Sequence, residues 1–66
     1  MQVGDKVDET GRLQRVGGGF ALRRDAGGFW RLDLHRTPVD EVEKRVRVIG
    51  TYLGNDLVEV DGVSLA

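Results

Sequence analysis

Apolar and polar side chains alternate with a period of two along four segments of this chain, the spacing expected of strands that bury one face. Most residues between the apolar positions are charged or polar, so each segment predicts a strand with one side in a core and the other in water. The apolar positions are Phe20 and Leu22; Trp30, Leu32 and Leu34; Val46 and Val48; and Val58 and Val60.

Glycines separate these segments and mark the predicted turns. Ten glycines occur in 66 residues, and most of them cluster at Gly17–Gly19, at Asp25–Gly28 and around Gly54. Gly54-Asn55 is flanked by apolar residues and predicts a two-residue hairpin loop in which Gly54 has a positive φ. Gly50 lies inside a segment, which predicts a β-bulge or a sharp bend in that strand.

The first strand and the middle of the chain have weaker patterns. Val7 to Val16 predicts a first strand that Gly11 bends in two. Thr37-Pro38-Val39-Asp40 predicts a helix start, with a Thr cap, a proline in the first turn and a carboxylate three residues after the cap. We expect one or two helical turns, in which Val39 and Val42 share a face and close the end of a barrel.

The predicted order is three strands, a short helical connection and two strands, within one domain that spans residues 1–66. Five strands in so short a chain do not form two well-packed sheets, whereas a closed barrel leaves few exposed edges. We therefore predict an all-β fold, a small five-stranded barrel with the helical connection between strands 3 and 4. That position favours an OB-like order, and an SH3-like barrel is the alternative.

Three segments of the chain carry a family resemblance: Gly28–Leu34, Lys44–Thr51 and Asp56–Val63. Together they resemble short bacterial proteins that are grouped only as a domain of unknown function. The last two segments, a basic-valine run with a glycine followed by a valine strand, also resemble bacterial OB-fold proteins. The resemblance runs from about Gly11 to Val63 and implies the small barrel. It implies no catalytic or ligand-binding residue.

The residues needed for catalysis or metal binding are scarce. The chain has no cysteine, so disulfides, thiolate zinc sites and thiol nucleophiles are absent. Its one histidine, His35, is predicted at the end of a strand, and Ser64 lies two residues from the last residue. Asp33 and His35 would share a face, but Arg31 on that face opposes a cation. We therefore predict a protein that is not an enzyme and has no metal, no cofactor and no catalytic residue.

Charge and hydropathy limit the partners. Ten Lys and Arg against eleven Asp and Glu give a net charge of −1, without the basic excess of a duplex-DNA binder. The chain contains no apolar run of the length that a signal peptide or a membrane span requires. We therefore predict a cytoplasmic protein that does not bind membranes.

The candidate binding surface is the outer side of strands 2 and 3. Arg23, Phe29 and Arg31 would lie there, and further arginines would lie nearby in an OB-like barrel: Arg24, Arg36, Arg45 and Arg47. An alternating charged exterior is, however, what any soluble barrel presents. Phe29 could instead pack under the helical connection. The candidate binding residues are Arg23, Phe29, Arg31, Arg45 and Arg47.

Two functions are consistent with this surface. The first is a non-catalytic binding module whose partner is a protein, held at an exposed strand edge or at the face of Phe29 and Arg31. A homodimer is one form of it, because so small a barrel gains stability by burying more apolar area. The alternative is weak binding of single-stranded nucleic acid, with an aromatic ring for stacking and arginines for phosphates.

Overall fold

Five β-strands form the secondary structure of the computed structural model, which describes residues 1–66. The protein is all-β, and the predicted order of three strands, a connection and two strands is confirmed. No helix has the length and hydropathy required to span a bilayer. The strands are β1 (Lys6–Val16), β2 (Gly19–Arg24), β3 (Phe29–Asp33), β4 (Arg45–Gly54) and β5 (Leu57–Leu65).

The strands make one sheet that closes on itself in the order β1-β2-β3-β5-β4, with β4 pairing back to β1. Neighbouring strands are antiparallel except β3 and β5, which run parallel. The parallel contact covers only Arg31–Asp33 opposite Leu57–Glu59. The ring is thus closed by its shortest strand pair.

β1 belongs to both sides of the ring, and Gly11 makes this possible. Residues 6–12 pair with β4, and residues 11–16 pair with β2. A Cβ atom at Gly11 would overlap the carbonyl oxygen of Arg23 on β2. Only glycine lets the two backbones approach so closely at the point where β1 changes partner. β1 is one continuous strand, Lys6–Val16, whose partner strand changes at Gly11.

The core consists of nine apolar side chains inside the ring, and it includes most of the positions that alternation predicted. Two predicted core residues, Phe20 and Leu34, are only partly buried, and both pack against the core from outside the central cluster. Ala21 was predicted to face solvent and is 4 % exposed. The methyl side chain of Ala21 has little exposed surface because its cross-strand partners on either side, Gln14 and Arg31, have longer side chains. The cluster is Val7, Leu13, Leu22, Trp30, Leu32, Val46, Val48, Val58 and Val60.

The irregularity predicted at Gly50 is present. The register of β4 against β5 shifts between Ile49 and Gly50, and the unpaired residue is Asp61 on β5. Gly50 also brings the strands close, since a Cβ atom there would overlap the carbonyl oxygen of Glu59. Beyond the shift, Val63 packs against the core.

The turn between β4 and β5 lies one residue later than predicted. Asn55 and Asp56 are its two central residues, and both have positive φ, 51° and 60°. Two positive φ values match a type I′ hairpin, in which Asn and Asp are tolerated. Gly54 does have the predicted positive φ, but it is the last residue of β4.

The connection between β3 and β4 contains a single 3₁₀ turn at Val39–Glu41 and no α-helix. The predicted Thr37 cap does not form, because Pro38 precedes the turn without a side-chain capping hydrogen bond. Val39 is 73 % exposed, so the predicted pairing of Val39 with Val42 over the core is wrong. Only Val42 packs against the core, because the turn ends at Glu41 and Val42 already has an extended backbone, with φ −63° and ψ 134°.

Candidate functional site

Arg23, Phe29 and Arg31 lie together on the outer side of strands β2 and β3, and we call these three residues the β2–β3 face. Arg23 is directly opposite Phe29 in the antiparallel register. Its guanidinium carbon is 5.8 Å from the centre of the Phe29 ring, within cation–π distance. Phe29 is 51 % exposed and does not pack under the connection. The face therefore presents an aromatic ring with a cation beside it.

Arg31 is positioned by the turn between β4 and β5. Its Nη2 donates a hydrogen bond of 2.8 Å to the carbonyl oxygen of Asn55. Its backbone N–H donates to the carbonyl oxygen of Asp56 at 2.6 Å. Neither Arg31 nor Arg23 has a carboxylate within 4.0 Å. Both arginines of the face thus keep their charge available to a ligand.

Arg45 and Arg47 lie on β4, and each is paired with an aspartate, Arg47 with Asp8 on the neighbouring strand β1 and Arg45 with Asp25 in the turn between β2 and β3. Arg47 donates two hydrogen bonds to Asp8, from Nε at 2.8 Å and from Nη2 at 2.6 Å. Arg45 donates to Asp25, which also accepts a hydrogen bond of 2.9 Å from the Thr10 hydroxyl. These aspartates offset the charge of both arginines, so the five predicted binding residues separate into an unpaired group and a paired group.

Arg12 is a surface cation that sequence reasoning missed. It lies opposite Arg23 on one side and opposite Arg45 on the other, so three arginines form a row across β2, β1 and β4. Arg12 is exposed, and its Nη1 is 3.8 Å from a carboxylate oxygen of Glu43. Alternation from Leu13 places Arg12 on the outer side. The register that brings it opposite Arg23 depends on strand pairing.

Arg24 was grouped with the outer arginines, but it belongs to the inner side at one end of the ring. It is two residues after Leu22, and its guanidinium carbon is 4.2 Å from the centre of the Trp30 ring. Glu9 lies 3.5 Å from its Nη2, and its Nε is buried without a hydrogen-bond partner. Arg24 therefore covers the edge of the core.

The two Asp–Arg pairs make a prediction about pH. The pKa of Asp8 is lowered from 3.8, chiefly because Arg47 donates hydrogen bonds to the carboxylate, and Arg45 lowers the pKa of Asp25 in the same way. Because both pKa values are lower in the folded state, the pairs stabilise the fold above about pH 3.8, and this contribution is lost as pH falls through the lowered pKa values. Carboxyl ¹³C shifts should give midpoints below 3.8 for both aspartates.

The Arg47→Gln variant is the control for this titration. It should raise the midpoint of Asp8 toward 3.8 and leave that of Asp25 in place, and Arg45→Gln should do the reverse. An Asp8 midpoint that is unchanged in Arg47→Gln would show that the pair does not form in solution.

His35 lies in an open cleft at the end of β3. The cleft has a volume of about 460 Å³ and is bounded by the connection between β3 and β4 and by β5. His35 is exposed, and three carboxylates, those of Asp40, Glu41 and Asp61, also line the cleft. No group of three His, Asp or Glu side chains is arranged to hold a metal ion.

Comparison with known protein families identifies the family of this chain. A family model described as "Protein of unknown function (DUF5818)" matches residues 10–66. The matched range contains β2 to β5 and the whole β2–β3 face. No curated protein and no solved structure matches the chain.

Proposed function

We propose that this chain, which belongs to the DUF5818 family of proteins of unknown function, is a non-catalytic binding module that contacts a protein partner through the β2–β3 face. One observation carries the proposal. A half-exposed Phe29 lies beside Arg23 and Arg31, and neither arginine is neutralised by a carboxylate. A cytoplasmic location is part of the proposal.

The energetics of interfaces support this face. Aromatic residues and arginine are enriched among the few residues that carry most of the binding energy. Phe29 has apolar area that a partner can bury, and the two arginines can pair with acidic groups around it. The outer surface of β4 offers less, because Arg45 and Arg47 already have aspartate partners. We therefore expect the partner protein to bind with an acidic surface that has an apolar centre.

An OB-like barrel is also part of the proposal. The order β1-β2-β3-β5-β4 with a parallel β3–β5 contact supports it, and so does the connection between strands 3 and 4. OB-folds bind their ligands on the face of strands 2 and 3 and at the loop between strands 4 and 5. The β2–β3 face occupies that position, and the Arg31–Asn55 hydrogen bond joins it to the β4–β5 turn.

Quantitative affinity capture from extracts of the native cells tests the proposal. If the β2–β3 face holds the partner, the amount of partner captured should fall at least about tenfold with Phe29→Ala and with Arg31→Ala, because each removes a central interface residue. Arg15→Ala is the matched control, because Arg15 is also an exposed arginine without a carboxylate partner and lies outside the face. Equal capture by all four proteins would overturn the proposal.

A homodimer is the form of this proposal in which the partner is a second copy. Light scattering would then give twice the mass of 7.3 kDa at micromolar concentration. Because Phe29 would lie in the dimer interface, Phe29→Ala should return the mass to that of one chain. A mass of one chain for the wild type counts against the dimer and leaves a different protein as the partner.

Single-stranded nucleic acid is the second candidate ligand, and the Arg23–Phe29 pair favours it. Bases stack on exposed aromatic rings and on arginine, and unpaired arginines bind phosphates. A labelled oligothymidylate should then gain anisotropy at low salt and lose it as salt rises or in the Phe29→Ala and Arg31→Ala double variant. Arg47→Ala is the control, since Asp8 already offsets that charge. No gain at about 50 μM protein would exclude this candidate.

A further inference from the structure

Part of β5 has a neighbouring strand on one side only. β3 pairs with β5 from Leu57 to Glu59, whereas β4 pairs with β5 as far as Leu65. No backbone hydrogen bond joins residues 34–44 to residues 60–65. The other edge of β5, from the carbonyl group of Val60 to Leu65, therefore keeps backbone N–H and C=O groups free. Such an edge is a template for an additional strand.

The cleft near His35 runs beside this edge. Its volume is about 460 Å³, within the range of sites that hold ligands. Leu34 and Val63 pack partly buried against the core, and Val60 belongs to it, so the cleft has an apolar floor. Val39, 73 % exposed, adds apolar surface on the other wall. A strand added to β5 could direct alternate side chains at this floor.

The charges of the cleft select the partner. Asp40, Glu41 and Asp61 line it, against a single arginine, Arg36. None of these four side chains is in an ion pair. Asp61 is also the residue that the register shift leaves without a partner on β4. The excess of carboxylates attracts basic side chains and repels phosphates.

We propose that the free edge of β5 binds an extended, basic segment of a partner protein by strand addition. The backbone of the segment bonds to β5 between Val60 and Leu65. Its apolar side chains cover the floor at Leu34 and Val63, and its lysines or arginines face the three carboxylates. This site is independent of the β2–β3 face, and no residue of that face lines the cleft.

The test uses a labelled six-residue peptide that alternates valine with lysine, and the full chain labelled with ¹⁵N. We expect amide shift changes at residues 34–41 and 60–65, with slower hydrogen exchange along β5. A peptide that alternates valine with glutamate should not bind. Two N-methylated forms of the basic peptide, with methyl groups on alternate residues, test strand addition itself. In one form the methyl groups replace the N–H hydrogens that face β5, and in the other they replace those that face away. The first form loses its hydrogen bonds to β5 and should bind at least about tenfold more weakly than the second.

Charge variants separate the cleft from the rest of the surface. The double variant Asp40→Asn with Asp61→Asn should lower the affinity for the basic peptide about fivefold. Glu43→Gln with Asp56→Asn removes the same charge outside the cleft and should leave the affinity unchanged. Equal binding by both N-methylated peptides would overturn the proposal, and so would shift changes confined to the β2–β3 face. A dimer that occupies the β5 edge and excludes the peptide would also overturn it.

Discussion

Replacing Gly11 with alanine should leave the protein largely unfolded at room temperature. The added Cβ would overlap the carbonyl oxygen of Arg23, a backbone atom that a change of rotamer cannot move. Separating β1 from β2 at this point would also disturb the pairing of β1 with β4, because Gly11 has partners on both strands. We expect a loss of at least about 3 kcal/mol, comparable with the whole stability of a domain of this size.

Urea unfolding followed by circular dichroism measures this effect, and Gly62→Ala is the control. Gly62 also lies inside a strand, but a Cβ atom there meets nothing within 4 Å and the residue has no positive φ. Its replacement should change the free energy of unfolding by less than about 1 kcal/mol. A folded Gly11→Ala protein with wild-type stability would show that β1 and β2 do not approach as closely as described.

Replacing Trp30 with alanine should cost about 3–5 kcal/mol, again close to the total stability. Trp30 is 4 % exposed and belongs to the core cluster. Its ring contacts Tyr52 at a centroid distance of 6.2 Å and supports the Arg24 guanidinium at 4.2 Å. Its removal would therefore leave a cavity and also expose the cation that covers this end of the ring.

Phe29 is the natural comparison, because it is the adjacent residue and points to the opposite side of β3. Half of its surface is already exposed, so Phe29→Ala should cost less than about 1 kcal/mol. Thermal unfolding of both variants tests the assignment of sides. Equal losses would mean that β3 does not have one buried and one exposed face.

The core was predictable because it depends on a local pattern. Residues two apart on a strand share a face, so the positions of Leu22, Trp30 and Val46 could be assigned without knowing which strands pair. Gly50 was recognised for a similar reason, since glycine inside an apolar run weakens a strand unless the backbone needs it. Gly11 was only partly understood. The residue whose carbonyl oxygen a Cβ atom at Gly11 would overlap is Arg23, and only the pairing of β1 with β2 identifies it.

The candidate site depended more on contacts between distant residues. Arg45 and Arg47 have the same alternation as Arg23 and Arg31, and nothing near them in sequence distinguishes the two groups. Their aspartates lie 20 and 39 residues away. Which arginines stay unpaired is therefore decided by strand register, and the same holds for the free edge of β5, which results from the short β3–β5 contact.

The predicted helical connection is reduced to a single 3₁₀ turn for a local reason. Thr37-Pro38 has the composition of a helix start, but the segment before β4 holds only three residues in a 3₁₀ turn, and Glu43 then takes a positive φ of 64°. A positive φ at a non-glycine residue ends any helical continuation. The backbone N–H of Glu43 donates instead to the carbonyl oxygen of Leu13, which directs the chain into β4.

Photo-crosslinking in living cells tests the central claim, that the protein acts through the β2–β3 face, most directly. A benzophenone amino acid replaces Phe29 in one variant and Ile49 in the other. Ile49 is the matched position, because it is apolar, 38 % exposed and on β4, outside the face. We predict a discrete crosslinked protein from position 29 and none from position 49. Crosslinks from position 49 alone would contradict the claim.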